Sequence, residues 1–147
     1  MKNVDLQSLG LAILRIVVGI VFVAHGSQKL FVYGLDGVTA AMAKVGFPLP
    51  AVAAVLIIAT EFLGGIALLL GLFTRLAAIP IAFAMLVAVL KVHLKGGFFL
   101  PTGFEYAFTM CAAALTLALT GPGAFALDNV LSKACARRGQ QSAAYEG

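Results

Sequence analysis

The chain has 147 residues, of which 62% are hydrophobic and 11% charged, and its formal net charge is +4 at pH 7. Soluble domains are about half apolar and about a quarter charged, and disordered chains are more polar still, so this composition excludes both and predicts an integral membrane protein. The basic residues lie in loops and in the tail, which predicts the lipid bilayer, and no nucleic acid, as a partner.

Four apolar stretches follow one another, each close to the roughly 20 residues that a helix needs to cross a bilayer. Their continuous runs, rich in alanine and leucine, exclude alternating strands. They predict an all-α, up-and-down integral membrane four-helix bundle. The first to fourth spans are Leu9–Phe31, Pro50–Phe73, Leu76–Leu94 and Phe104–Thr120.

Glycine and proline mark the connections between the spans. The first loop is expected to carry a short interfacial helix, Thr39–Val45, and the short Thr74-Arg75 link makes the second and third spans antiparallel neighbours. Gly121-Pro122-Gly123 ends the fourth span. We predict a membrane domain over residues 1–123, an amphipathic interfacial helix over 124–138 and a disordered tail over 139–147.

Charges in the loops predict the orientation. Four spans put both termini on one side, which holds five cations against four on the other, so the termini are predicted to be cytoplasmic. The five cations on the side of the termini are Lys2, Arg75, Lys133, Arg137 and Arg138. The four on the other side are Lys29, Lys44, Lys91 and Lys95.

Glu61 is the most informative polar residue, because it lies about eleven residues from either end of the second span and therefore roughly 16 Å deep. An ionised carboxylate at that depth needs a nearby cation. Arg15, about 9 Å into the first span, is within reach. One interpretation is a structural Arg15–Glu61 clasp between two helices. The other is that Glu61 accepts a proton or contacts a ligand.

A second polar group is expected near the outer ends of the spans. His25 and Lys29 share one helix face, since they are four residues apart. His93 ends the third span and Glu105-Tyr106 begins the fourth on the same side. One interpretation is an ordinary interfacial helix end; the other is a polar cup above Glu61. In the cup, Glu61 and His25 are the candidate catalytic residues, and the candidate ligand-binding residues are Arg15, Lys29, His93, Glu105 and Tyr106.

Metal chemistry is not predicted. Carboxylate-bridged di-iron bundles need Glu-x-x-His on two helices, and the sequence has none. Haem or a single metal ion on His25 and His93 is an alternative that their spacing does not select. The two cysteines, Cys111 and Cys135, form no Cys-x-x-Cys motif, which excludes an internal dithiol centre.

Small residues and aromatic residues leave further alternatives open. Glycines in the second span and alanines in the third predict close helix packing and allow a homo-oligomer. The outer aromatic residues form an interfacial belt or flank a quinone head group. The two histidines are 68 positions apart, but Glu61 and Glu105 are 44 apart, so these spacings do not predict a duplicated hairpin.

Several motifs, in this order, resemble the DoxX family over residues 9–131. They are Leu14-Arg15-Ile16 with Gly19, Phe22, His25-Gly26 and Lys29-Leu30; Glu61-Phe62-Leu63-Gly64-Gly65; Leu70 to Arg75; His93; Glu105-Tyr106; Leu119 to Gly123; and Leu127-Asp128. The resemblance implies a four-helix protein of the bacterial inner membrane. It also implies that the family's polar positions fall on Arg15, His25, Lys29, Glu61, Arg75, His93, Glu105 and Asp128.

The function implied by this resemblance is redox-associated. Relatives of the DoxD type are subunits of thiosulfate:quinone oxidoreductase, and others accompany detoxifying enzymes under oxidative stress. We therefore expect a membrane-embedded subunit for quinone and thiol or thiosulfate chemistry with a partner enzyme. The sequence does not fix the cofactor, for which quinone is one candidate. The alternative is a non-enzymatic scaffold, assembly factor or small-solute carrier in which an Arg15–Glu61 clasp is structural.

Overall fold

A computed structural model describes residues 5–134 and confirms the all-α membrane bundle. Short π-helical segments, Gln28–Tyr33 and Ala88–His93, extend the first and fourth helices. The 3-10 turn Leu94–Gly96 follows the second of these. The helices are α1 (Leu6–Ser27), α2 (Gly34–Val45), α3 (Pro50–Leu70), α4 (Thr74–Val87), α5 (Glu105–Thr120) and α6 (127–134).

Three helical stretches of the described chain are long and apolar enough to cross a membrane, namely Leu6–Val45, Pro50–Leu70 and Thr74–Gly96. The fourth, α5, is apolar but has only 16 residues. At 1.5 Å per residue it spans about 24 Å, less than the roughly 30 Å hydrocarbon core, a mismatch of the kind that local bilayer thinning accommodates.

The interfacial helix of the first loop is longer than predicted. It begins at Gly34 instead of Thr39, because Gly34 takes a φ of 67° that turns the chain directly after the π-helical segment. Its buried Val38 packs with Ala54 and Ile58 of α3. The outer half of α3 is therefore covered by α2.

Helices α1 and α3 are in backbone contact. A Cβ atom added to Gly65 would lie 2.6 Å from the backbone nitrogen of Val23, and one added to Gly26 would lie 2.5 Å from that of Phe62. Only glycine allows such an approach, and this packing agrees with the role predicted for the small residues. The contact fixes residue 61 of α3 at the height of residues 25 to 29 of α1.

Helices α4 and α5 form a second antiparallel pair, whose interface is apolar. Ile81 and Leu117 are fully buried there, and the thiol of Cys111 donates a hydrogen bond to the carbonyl of Ala82 at 3.4 Å. Within the segment predicted as an amphipathic C-terminal helix, α6 covers residues 127–134 and so begins three residues later than predicted. Residues 135–138 of the predicted segment and the predicted tail 139–147 lie outside the described residues.

Candidate functional site

The centre of the candidate site is an ion pair between α1 and α3. The Nζ atom of Lys29 donates a hydrogen bond of 2.5 Å to Oε2 of Glu61. Glu61 is only 3% exposed. Lys29 lies in the π-helical segment that extends α1, and such segments occur often at functional sites. The buried carboxylate of Glu61 was expected to need a nearby cation, and that cation is Lys29.

The predicted Arg15–Glu61 clasp is wrong, because Arg15 points to the inner end of the bundle. Its buried guanidinium donates hydrogen bonds to five backbone carbonyls. The acceptors lie in the last turn of α3, where the Leu68 carbonyl also binds the N–H of Gly71, and in the chain after α5, so one arginine joins these two segments. The acceptors and donor–acceptor distances are Leu68 at 2.6 Å, Pro122 at 2.9 Å, Leu69 at 3.0 Å, Phe125 at 3.2 Å and Ala124 at 3.3 Å.

The position of Arg15 also provides a reference height from which the positions of the other polar residues along the bundle can be measured. Because Arg15 is level with the last turn of α3, it marks the inner edge of the bundle. Glu61 lies eight residues from Leu69, so it is about 12 Å further out, and His25 is about 15 Å further out than Arg15. Glu61 and His25 therefore lie at similar heights in the bundle, well away from its inner end.

Next to the ion pair, His25 contacts Tyr106 across α1 and α5. The phenol oxygen is 3.2 Å from Nε2 of the imidazole, and the ring centroids are 5.9 Å apart. Both side chains are exposed on the surface of the bundle. His25 precedes Lys29 by four residues, about one helical turn, so the two pairs are neighbours along α1 and its extension. Four of the predicted residues thus form one polar group.

His93 and Glu105 bind the outer loop. Nδ1 of His93 is 3.3 Å from the carbonyl oxygen of Thr102, and the Glu105 carboxylate accepts a hydrogen bond of 2.9 Å from the backbone of Leu100. These contacts give both residues a role in shaping the loop. His25 and His93 have separate partners, and residues 5–134 contain no cluster of three or more potential metal ligands.

An open cleft of about 550 Å³ adjoins the ion pair. Lys29 is its charged residue, and Tyr33 adds a phenol. The sequence does not predict this cleft, because the position of its lining residues depends on α2 starting at Gly34. The lining residues are Lys29, Val32, Tyr33, Gly37, Val38, Ala41 and Met42.

Asp128, which the sequence analysis named only as one of the family's polar positions, has a structural role. Its carboxylate accepts hydrogen bonds from the backbone of Phe73 at 2.7 Å and Thr74 at 2.9 Å, so it caps the start of α4. Its own N–H donates to the carbonyl of Gly71 at 2.9 Å. The chain after α5 thereby closes the inner end of the bundle together with Arg15.

Known proteins match this chain over most of its length. A sequence model of the DoxX family matches residues 10–94. A protein named "Putative oxidoreductase CatD" from Bacillus subtilis (strain 168) is 33% identical over 125 residues, which cover 85% of this chain and 89% of that protein. No solved structure matches.

Two further relatives come from other bacteria. An uncharacterized protein of Haemophilus influenzae (strain ATCC 51907 / DSM 11121 / KW20 / Rd) is 39% identical over 84% of this chain and 91% of its own length. The inner membrane protein YphA of Escherichia coli (strain K12) is 36% identical over 80% of this chain and 87% of its own length. With its long apolar helices and a family match over more than half its length, this chain belongs to the DoxX family of membrane proteins.

Proposed function

We propose that this protein is a redox subunit of the bacterial inner membrane, with both termini in the cytoplasm. It couples oxidation of a small thiol or a thiosulfate-type anion to reduction of a quinone, beside a partner enzyme. The observation that carries the proposal is the Lys29–Glu61 pair, buried near the middle of the bundle and reached by an open cleft. Ionisable groups at this depth are costly and typically serve transport or proton transfer.

The reaction balances without a bound cofactor. Two thiols and one quinone give one disulfide and one quinol, so two S–H bonds break while one S–S and two O–H bonds form. With thiosulfate, two anions join through one S–S bond to give tetrathionate, and the two protons of the quinol come from the solvent. The sulfur donor supplies both electrons. The chain contributes a cation, Lys29, that attracts an anionic donor into the cleft, and a carboxylate, Glu61, that takes protons from the thiols and returns them to the quinone oxygens.

The family relation supports this proposal. The name of the Bacillus subtilis relative describes an oxidoreductase activity, and that of the Escherichia coli relative places it in the inner membrane. The sequence has no Cys-x-x-Cys motif, and Cys111 is buried against the backbone of Ala82. We therefore assign electron transfer to the donor and the quinone themselves, or to the partner enzyme.

The experiment uses the purified protein in lipid nanodiscs with a short-chain ubiquinone and a small thiol, following quinone absorbance. We expect Glu61→Gln to lower the rate at least 10-fold, since the amide cannot carry the proton. The matched control is Asp5→Asn, which changes another carboxylate at the exposed start of α1. Absence of quinone reduction, with and without bacterial membrane extract as a source of partner enzyme, would refute the proposal.

The alternative function is a non-enzymatic scaffold, assembly factor or small-solute carrier. One observation favours it: Lys29 and Glu61 satisfy each other, as a structural clasp would. In that case Glu61→Gln lowers the melting temperature, and neither quinone nor thiol shifts the melting temperature of the wild-type protein.

A further inference from the structure

Polar side chains on the lipid-facing surface of α5 are satisfied by their own helix. The hydroxyls of Thr109, Thr116 and Thr120 each donate to the backbone carbonyl four residues earlier, at 2.6 to 2.9 Å. This is the usual solution in a membrane, where an unpaired polar group costs several kcal/mol. Their exposure to lipid therefore needs no other explanation.

His25 and Tyr106 do not follow this pattern. They are exposed, and among the side-chain hydrogen bonds of residues 5–134 each takes part only in the one that they share across α1 and α5. Among the hydrogen bonds of residues 5–134, Nδ1 of His25 takes part in none. His25 lies about 15 Å outward from Arg15, and Tyr106, the second residue of α5, lies about 21 Å outward from Thr120, so the free hydrogen-bonding capacity of the pair faces the outer half of the hydrocarbon layer. A partner for these groups has to arrive through the lipid.

We infer that the His25–Tyr106 pair is a lateral docking site for the head group of the quinone, entered from the bilayer between α1 and α5. This inference rests on the proposed function and adds the place where the lipid-soluble substrate binds. The neutral pair keeps one free donor, which is Nδ1–H of His25 when the phenol donates to Nε2 and the phenol O–H when Nε2–H donates to it. A quinone carbonyl oxygen accepts a hydrogen bond from either donor. At this depth a lipid-soluble acceptor fits, whereas a free anion does not.

The His25–Tyr106 pair and the cleft are formed by different segments of the chain next to the Lys29–Glu61 pair. The cleft beside Lys29 is lined only by residues of the range 29–42, whereas the His25–Tyr106 pair lies between α1 and α5. The donor and the quinone would thus approach the Lys29–Glu61 pair by separate routes. Because His25 precedes Lys29 by four residues, a docked head group would lie about one helical turn from the Lys29–Glu61 pair.

The test measures quinone affinity and the KM for each substrate in nanodiscs. We expect His25→Gln and Tyr106→Phe each to raise the Kd and KM for short-chain ubiquinone at least 10-fold, with the KM for the thiol within 2-fold of the wild type. Tyr106→Phe keeps the ring and removes only the hydroxyl, so it tests the hydrogen bond in a folded protein. The matched control is Thr116→Val, which removes a self-satisfied hydroxyl of the same helix and should leave both values unchanged.

Three outcomes would overturn the inference. If neither variant changes quinone affinity while Ala41→Phe, which fills the cleft, abolishes binding, the quinone binds in the cleft and the proposed function survives. If His25→Cys forms a disulfide with a second copy in the membrane, a second copy covers the pair. If wild-type protein neither binds nor reduces quinone, with or without membrane extract, the proposed function fails as well.

Discussion

The two helical hairpins of this bundle share a layout and differ in chemistry. In the first, α1 and its π-helical extension pair with α3; in the second, α4 and its π-helical extension pair with α5. A shift of 60 positions takes Gln28–Tyr33 onto Ala88–His93 and Arg15 onto Arg75. Each arginine donates to a carbonyl at the inner end of the partner helix. The same construction is therefore used twice.

The two residues of the ion pair have apolar counterparts in the second hairpin. The 60-position shift takes Lys29 onto buried Val89, and a shift of 50, set by the ends of α3 and α5, takes Glu61 onto buried Cys111. The second hairpin thus shows that this scaffold packs without an ion pair. The pair is an addition to the scaffold, which is why we assign it to function.

The largest contrast is expected between the two arginines. Arg15→Met leaves buried carbonyls of α3 and the following loop unpaired and should lower the free energy of unfolding by about 3–5 kcal/mol. Arg75→Met removes one exposed hydrogen bond of 3.3 Å and should cost less than about 1 kcal/mol. Denaturation in detergent micelles measures both. Equal losses would contradict the different roles given to the two residues.

The ion pair provides the second test. Lys29→Val leaves Glu61 buried without its cation and should destabilise the protein by about 2–4 kcal/mol, less than a fully buried pair because Lys29 is 22% exposed. Adding Glu61→Cys copies the residues of the second hairpin and should restore stability to within about 1 kcal/mol of the wild type. Activity stays lost in the double variant. If the double variant is less stable than either single one, the hairpins are not equivalent.

The sequence predicted the membrane class, the four apolar helices and Glu61 as the key residue, because long apolar runs and a carboxylate at their centre have few physical solutions. It did not predict the partner of Glu61. Counting depth from the ends of each span assumes that every span starts at the membrane edge. The contact of Gly26 with Phe62 sets a different alignment of α1 on α3, which brings Lys29 to Glu61.

The equivalence of the hairpins was invisible for a related reason. Comparing His25 with His93, or Glu61 with Glu105, assumes that matched positions keep their residue types. The structure matches Glu61 with Cys111 instead, and only backbone features such as the π-helical segments show the match. The start of α2 at Gly34 was equally hidden, since a glycine in a loop and a glycine that begins a helix look alike in one sequence.

Two adjacent glycines of α3 face different neighbours, since Gly65 lies against the backbone of α1 and Gly64 lies against a side chain of α4. Gly65→Ala places a Cβ atom 2.6 Å from the backbone of Val23, so α1 must move, at a cost of about 1–3 kcal/mol. Gly64→Ala places one 3.1 Å from the end of the Ile81 side chain, which can rotate away. Melting temperatures of the two variants should therefore differ, with Gly65→Ala lower. A larger loss for Gly64→Ala would show that α3 packs more tightly against α4 than against α1, contrary to the structure.

The smallest effect is expected at the carboxylates that cap the two outgoing helices. Asp5 caps α1 locally, through the backbone of Ser8 at 2.7 Å, whereas Asp128 caps α4 from the far end of the chain. Each Asp→Ala change should cost about 1 kcal/mol. Only Asp128→Ala should also release α6, because this residue joins the chain after α5 to the start of α4. Hydrogen exchange over residues 121–134 measures that release, and Asp5→Ala is the control. If exchange in this segment rises equally in both variants, the closing of the inner end does not depend on Asp128 and must be assigned to Arg15 alone.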